Sequence, residues 1–404
     1  MSLNIYFPNV GDGECFIAIH KNDAGDTQSI MIDCGSFSDY VRDIVVNQLN
    51  KHIDCLVISH FDDDHTLGII TMLIEIPDLS INKILFNYAP IIDGVEQDMD
   101  KQECLQKIKP VLKDLSAYLP LEDNTNIGAK EGVSLTALFF NNPQWKDKLQ
   151  SKVVVTNSID DAIDLGELGK LFIISPFIEQ LNEQGEKYKS EYTRYFFEKV
   201  TSLDASLYEV ILRLAERKEK EEEQDYEDDM GCRILNAELI NKLSKTNYSN
   251  DSSKNNASSI AFVWEYNDKR FLFTGDARAD VLVKGLERYK SIKAITDDTI
   301  FFDIIKIPHH GSKHNMSKEL RIMIDSSIFL ICGKYKETTP SIETISKIIC
   351  KELPNGIDKR CIYFNLNSYK NDEITAFLKS NLEDTKNTIK PYKTIRSEGL
   401  IIEQ

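Results

Sequence analysis

The stretch S-H-F-D-D-D-H at residues 59–65 constrains this chain more than any other. It follows I-D-C-L-V-I at 53–58, a short apolar run with β-branched residues that reads as a buried strand. Directly after that strand the chain presents two imidazoles and three carboxylates within six residues. Burying charge without a partner is costly, so a core has no use for such a cluster. It is either a solvated acidic loop or the surroundings of a metal ion. An extended loop would direct His60, Asp62, Asp64 and His65 in two groups, one to each of two adjacent ions.

Other ionisable motifs are placed in the same way. Four of the seven histidines fall in two pairs, 60/65 and 309/310. P-H-H-G-S at 308–312 follows a strand predicted at 303–307, and G-D at 275–276 follows one predicted at 270–274. Asp33 closes a predicted strand at 29–33, with Gly35 just after it. In open α/β sheets function gathers at strand ends, where loops converge. Imidazole nitrogens with carboxylate oxygens suit Zn²⁺, Mn²⁺ or Fe²⁺. One shared Asp can bridge two ions about 3.5–4 Å apart. Gly311 lets the backbone come close to such a site.

Strands are further predicted at 4–9, 15–20, 83–88, 153–156, 171–175, 259–266 and 328–332, with two short pieces in 392–403. Helices are predicted at 37–52, 66–76, 279–289 and 341–351. This alternation points to an α/β layered domain. Two stretches break it, at about 91–150 and 178–252. The first carries a helical pattern over 102–118 and an aromatic patch at 138–140. The second is read as helices packing against one edge of the domain. Its acidic run at 216–229 reads as a solvated helix end or loop, or as a docking surface for a basic partner.

The formal charge of −17 excludes a broad surface for coating nucleic acid and leaves room for a local cleft. The first ten residues lack the basic start and apolar core of a signal peptide. No run approaches the roughly 20 apolar residues of a membrane span. Eight scattered cysteines without a C-x-x-C pair read as reduced, mostly buried thiols. The expected setting is cytoplasmic, with no membrane partner.

Together these motifs resemble the metallo-β-lactamase-fold hydrolases, and within them the hydrolase domain of the ComEC competence proteins and their stand-alone relatives. The family's H-x-[HD]-x-D-H signature matches His60, Asp62, Asp64 and His65; its T-G-D matches 274–276, its H-H-G-S 309–312, and its early Asp-x-Gly Asp33 and Gly35. Asn256 and Ser259 match the N-x-x-S strand opening, and 394–401 is similar to the terminal strand. The resemblance covers roughly 3–90, 150–177 and 255–404.

It implies a four-layer αβ/βα sandwich over residues 1–404 with helical insertions, and a metal-dependent nuclease or phosphodiesterase. Metal binding would fall to His60, Asp62, Asp64, His65, Asp276 and one or both of His309 and His310. Two divalent ions, Mn²⁺ or Zn²⁺, would hold a bridging hydroxide, with Asp64 and His310 in catalysis. Ser312 and Lys313 would touch substrate phosphate, and Asp33, Asn256 and Ser259 would support the site. Asp62, where the signature usually has a second His, shifts preference towards Mn²⁺. Gly333 followed by Thr339 and Pro340 stands where the branch often has G-x-x-x-x-x-H-P. Nucleic acid is the expected substrate, with a possible protein partner at the helical insertions. The rival readings are an interaction or regulatory protein on a hydrolase scaffold, and a hydrolase of small esters or lactones.

Overall fold

A computed structural model describes residues 2–88, 134–150, 154–156, 162–196, 208–213, 215–216, 235–333, 339–365, 372–379, 382, 388–396 and 400–403. One sheet runs β16 (Leu400–Glu403), β1 (Ser2–Tyr6), β2 (Cys15–Lys21), β3 (Thr27–Cys34), β4 (His52–Val57), β5 (Ser80–Leu85). The other runs β15 (Tyr392–Arg396), β14 (Arg360–Phe364), β13 (Ile328–Ile331), β11 (Ile304–Lys306), β9 (Lys269–Phe273), β8 (Ala261–Tyr266), β7 (Lys170–Ser175), β6 (Ile163–Asp164). A parallel pair, β10 (Ile300–Phe302) with β12 (Ile324–Ser326), is additional to the predicted strands. The chain is therefore of mixed α/β class.

Side-chain alternation along the strands sorts the apolar residues into three cores. Along β2, Phe16 and Ala18 enter a core shared with Phe262, Trp264, Phe273 and Leu330 of the other sheet. Ile17 and Ile19 point the opposite way, to a core that the helix Asp63–Glu75 closes with Ile69, Ile70, Met72 and Leu73. Beyond the second sheet, Leu272 and Ile305 meet Leu282 and Leu286 of Ala279–Ile292 and Ile345 of Ile342–Ile349. Each sheet thus packs one face on the other sheet and one face on helices.

Several expectations change. The ligand stretch is not all extended: the helix begins at Asp63, with Asp62 in the N-cap position. Acidic residues suit that first turn, because the helix N-terminus is partly positive. Residues 154–156 form no strand, and 37–52 contains a short helix Asp39–Asp43 running into a π-helical turn. Parts of both insertions are integral to the cores. Leu135, Phe139 and Trp145, with Tyr188, Tyr208, Ile211 and Leu212, join the first helix-facing core, and Ile240 and Leu243 join the other. Glu216 is buried and paired with Lys187 at 3.1 Å, so it is no part of a solvated run. The helical pattern at 102–118, the rest of 217–229, and Cys104 and Cys232 lie outside the described residues.

Among the described residues the other six cysteines are free thiols. No helix among them is long and apolar enough to cross a membrane. The parallel strands β3, β4, β9 and β11 end at one rim, and their following loops carry the polar motifs.

Candidate metal centre

Asp33 organises the floor of the site. It adopts φ of 54°, a costly conformation for a residue with a Cβ, and both of its oxygens are used. Oδ1 accepts from Ser59 N at 2.7 Å, while Oδ2 accepts from Ser59 Oγ at 2.7 Å and lies 2.9 Å from His65 Nδ1. A carboxylate only accepts, so His65 carries its proton on Nδ1. Ser59 has one hydroxyl proton, spent on Asp33. Its oxygen, 2.9 Å from His60 Nδ1, therefore accepts from that ring as well. Both imidazoles are thus locked with Nε2 turned to the interior, which is how outer partners orient histidines for a metal.

Carboxylate oxygens and a third imidazole lie close to these nitrogens. His65 Nε2 lies 3.4 Å from Asp276 Oδ1, and His310 Nε2 lies 3.5 Å from Asp276 Oδ2 and 3.2 Å from Asp64 Oδ2. His60 Nε2 lies 3.7 Å from Asp62 Oδ2. None of His60 Nε2, His65 Nε2, His310 Nε2 and Asp276 Oδ1 makes a hydrogen bond, although all are buried. Ligand atoms of Glu14, His65, Asp276 and His310 lie within 4.8 Å of one another. Ser259 Oγ holds the Asp276 backbone, accepting from its N at 3.3 Å.

Residues 309–311 are three consecutive left-handed residues, with φ of 47°, 50° and 84°. This turn separates the two histidines. His310 is buried among the ligand atoms, whereas His309 is partly exposed and reaches Asp276 only at 3.8 Å. His309 Nδ1 instead faces Asp251 at 3.2 Å and Asn315 Oδ1 at 3.0 Å. Of the two histidines expected at the metal, His310 thus lies among the buried candidate ligand atoms and His309 at their edge. Gly311 packs on Pro340, the pair 339–340 lying behind the turn.

Burial works against a charge on His65, yet Asp276 and Asp33 prevail and hold its pKa well above the usual value. Burial likewise opposes the Asp276 charge, but His310, His65 and His309 keep its carboxyl well below the usual range. A metal arriving here must displace a proton, as is general for such ligands.

Asn256 lies beside the cluster and donates to Asp251 Oδ2 at 2.8 Å. Ser312 Oγ accepts from His314 N, capping the next turn, and among the described residues no contact joins Lys313 to the cluster. Sequence reasoning missed Asn255, which donates to Asp62 Oδ1 at 3.3 Å, and it missed Asp251. It also missed Glu14 and Lys306. The Lys306 ammonium donates to Gly275 O at 2.7 Å, lies 3.6 Å from Asp276 Oδ1, and contacts Glu14 Oε2 as an ion pair without hydrogen-bond alignment. Glu14 is within reach of a metal, but its charge is already matched by Lys306, so it belongs to the wall of the site. A lysine inside the apolar run I-I-K-I was the available signal.

No protein-family model matches the chain, and no curated protein matches it.

Proposed function

We propose that the chain is a metal-dependent hydrolase resembling the metallo-β-lactamase superfamily and its ComEC branch, acting on phosphodiester bonds. The observation that carries this reading is the set of buried ligand atoms without hydrogen bonds, His60 Nε2, His65 Nε2, His310 Nε2 and Asp276 Oδ1, converging from three loops. Three imidazoles and a carboxylate suit Zn²⁺ or Mn²⁺. The two sheets with helices on their outer faces agree with the four-layer αβ/βα sandwich of that superfamily.

In this reading His60 and Asp62 form one half of the ligand set, Asp64, His65 and His310 the other, and Asp276 lies between them. Divalent ions held there would activate water and polarise the phosphoryl oxygen. Asp33 and Ser59 fix the rings, and Ser259 fixes Asp276. Asp64, whose side chain is 13% exposed, stands at the open side and is placed to accept a proton. Nucleic acid is the substrate class favoured by the motif set.

The Lys306 ammonium beside Asp276 favours a second reading, a scaffold whose site charge is balanced from within and whose work is partner binding. Elemental analysis of protein loaded with Mn²⁺ or Zn²⁺ separates the two. The hydrolase carries up to two ions per chain, together with phosphodiesterase activity. A chain that stays metal-free under both conditions sinks the first reading and leaves the second.

A further inference from the structure

The turn at 61–63 is gripped from outside the two sheets, residue by residue. Phe61 packs edge-to-face with the Tyr208 ring, with centroids 5.9 Å apart. Asp62 accepts from Asn255, whose own Oδ1 accepts from Gln184 Nε2 at 3.1 Å. Asp63 Oδ1 accepts from Arg213 Nε at 3.0 Å and from its terminal nitrogen too. Gln184 belongs to the helix Ile178–Phe196, and Tyr208 and Arg213 to the helical segment 208–213.

These partners form one connected unit. Tyr208 Oη donates to Gln184 Oε1 at 3.2 Å, and Gln184 Nε2 also donates to Ser258 Oγ at 2.8 Å. Glu209, fully buried, accepts from Ser134 Oγ, Leu135 N, and Thr136 N and Oγ1, which fastens the segment to the helix Leu135–Asn141. Gln184, Tyr208 and Arg213 are all buried. Buried amides and guanidinium groups are tolerated only with their partners in place, so the unit and the turn order each other.

We propose that Gln184 and Arg213 are positioning residues for the ligand turn, so that the seating of 178–196 and 208–213 sets the affinity of the centre for metal. The first half of this proposal stands on the contacts alone; the second rests on the metal reading above. A protein partner that unseats 208–213 would weaken the centre without touching a ligand, which gives the insertion a means of control.

The test uses the full chain, stripped by chelator. Hydrogen exchange of the amides at 59–66 is compared in wild type, Gln184→Met, Arg213→Met and Arg213→Lys. Exposed Thr193→Ala on the same helix serves as control. We expect exchange at 59–66 to quicken about tenfold in the two methionine variants, to recover in part in Arg213→Lys, and to stay unchanged in the control. Calorimetric titration with Mn²⁺ should show affinity lower by about 10–100-fold in the methionine variants, the range typical for lost outer partners of a metal site. Should those variants fail to fold, Tyr208→Phe, which removes one hydroxyl, must still quicken exchange at 59–66. Unchanged exchange there in folded variants overturns the positioning role. Equal Mn²⁺ affinity despite a loosened turn overturns the coupling to metal. A wild type that binds no Mn²⁺ overturns the metal reading and that coupling with it, while the exchange data still decide the positioning role.

Discussion

Lys306 and Glu14 form an ion pair that joins the two sheets beside Asp276. Lys306 ends β11 at an inward-facing position, one step beyond Ile305, and Glu14 stands immediately before β2. Both side chains are shielded from solvent. Burial, the largest influence on Lys306, opposes its charge, yet Glu14 and Asp276 outweigh it and raise its pKa. A raised lysine pKa gives stability that is fully present below about pH 10 and lost only above it. At neutral pH Lys306 is therefore charged. Removing one partner strands the other charge in the interior, at about 3–5 kcal/mol. Lys306→Met should lose about that much in urea unfolding, and adding Glu14→Gln should restore part of it. Strictly additive losses would show that the two side chains do not depend on each other.

Gly13 and Gly35 fix the backbone of Asp64 by proximity. A Cβ on Gly35 would lie 2.3 Å from Asp64 O and 2.6 Å from the Gly13 Cα, and both contacts are with backbone that cannot give. Glu14 N donates to the same carbonyl at 2.9 Å. Gly35→Ala should therefore push the first turn of Asp63–Glu75 off its seat, costing about 1–3 kcal/mol and weakening Mn²⁺ binding. A variant with wild-type melting temperature and titration curve would refute this.

Asp251 contributes a pH-dependent part of the stability. Burial, the largest influence, would raise its pKa. His309, Asn256 and the Ser253 N–H outweigh it and lower the value to about 2. The unfolded value is near 3.9, so the native state binds fewer protons. The stabilisation is present above about pH 4 and is lost as pH falls towards 2. Asp251→Asn should lower stability at neutral pH by about 2 kcal/mol and flatten the acid limb in that window. Parallel wild-type and variant curves from pH 5 to 2 would remove Asp251 from this role.

The candidate site was legible in the sequence because charge gathered after an apolar strand has no packing use. His60, Asp62, Asp64, His65 and Asp276 all showed themselves in this way. Gly35 stood out only as part of the Asp-x-Gly element, and what it provides, room for the Asp64 carbonyl, appears only in the packed chain. The depth order of His309 and His310 was not readable, since it follows from the left-handed turn they occupy. The helix start at Asp63 was signalled by its acidic first turn and was placed three residues late. Lys306 was visible as an oddity without a partner, because Glu14 is brought to it only when the sheets stack. Gln184 and Arg213 look like any helical polar residues, and their role exists only in the packed chain.

The last prediction concerns the activity. Asp64 is 13% exposed and its Oδ2 lies 3.2 Å from His310 Nε2, and in the proposed reading a substrate phosphate enters on this side. Mn²⁺-dependent cleavage of DNA or RNA phosphodiesters is expected. The net charge of −17 repels long polyanions, so single strands should be cut faster than long duplexes, and raising the ionic strength should narrow that gap. Asp64→Asn keeps the shape of the side chain but loses the charge that holds metal and accepts a proton. Turnover should fall by about 10²-fold or more, in line with loss of a general base. The melting temperature in chelator should stay close to wild type, because Asp64 lies at the rim. The assay covers single- and double-stranded nucleic acid, a model phosphodiester, a lactam and a lactone, each with Mn²⁺, Mg²⁺ and Zn²⁺. Cleavage of the lactam and lactone alone would overturn the phosphodiesterase assignment, and equal rates for wild type and Asp64→Asn would trace the activity to a contaminant.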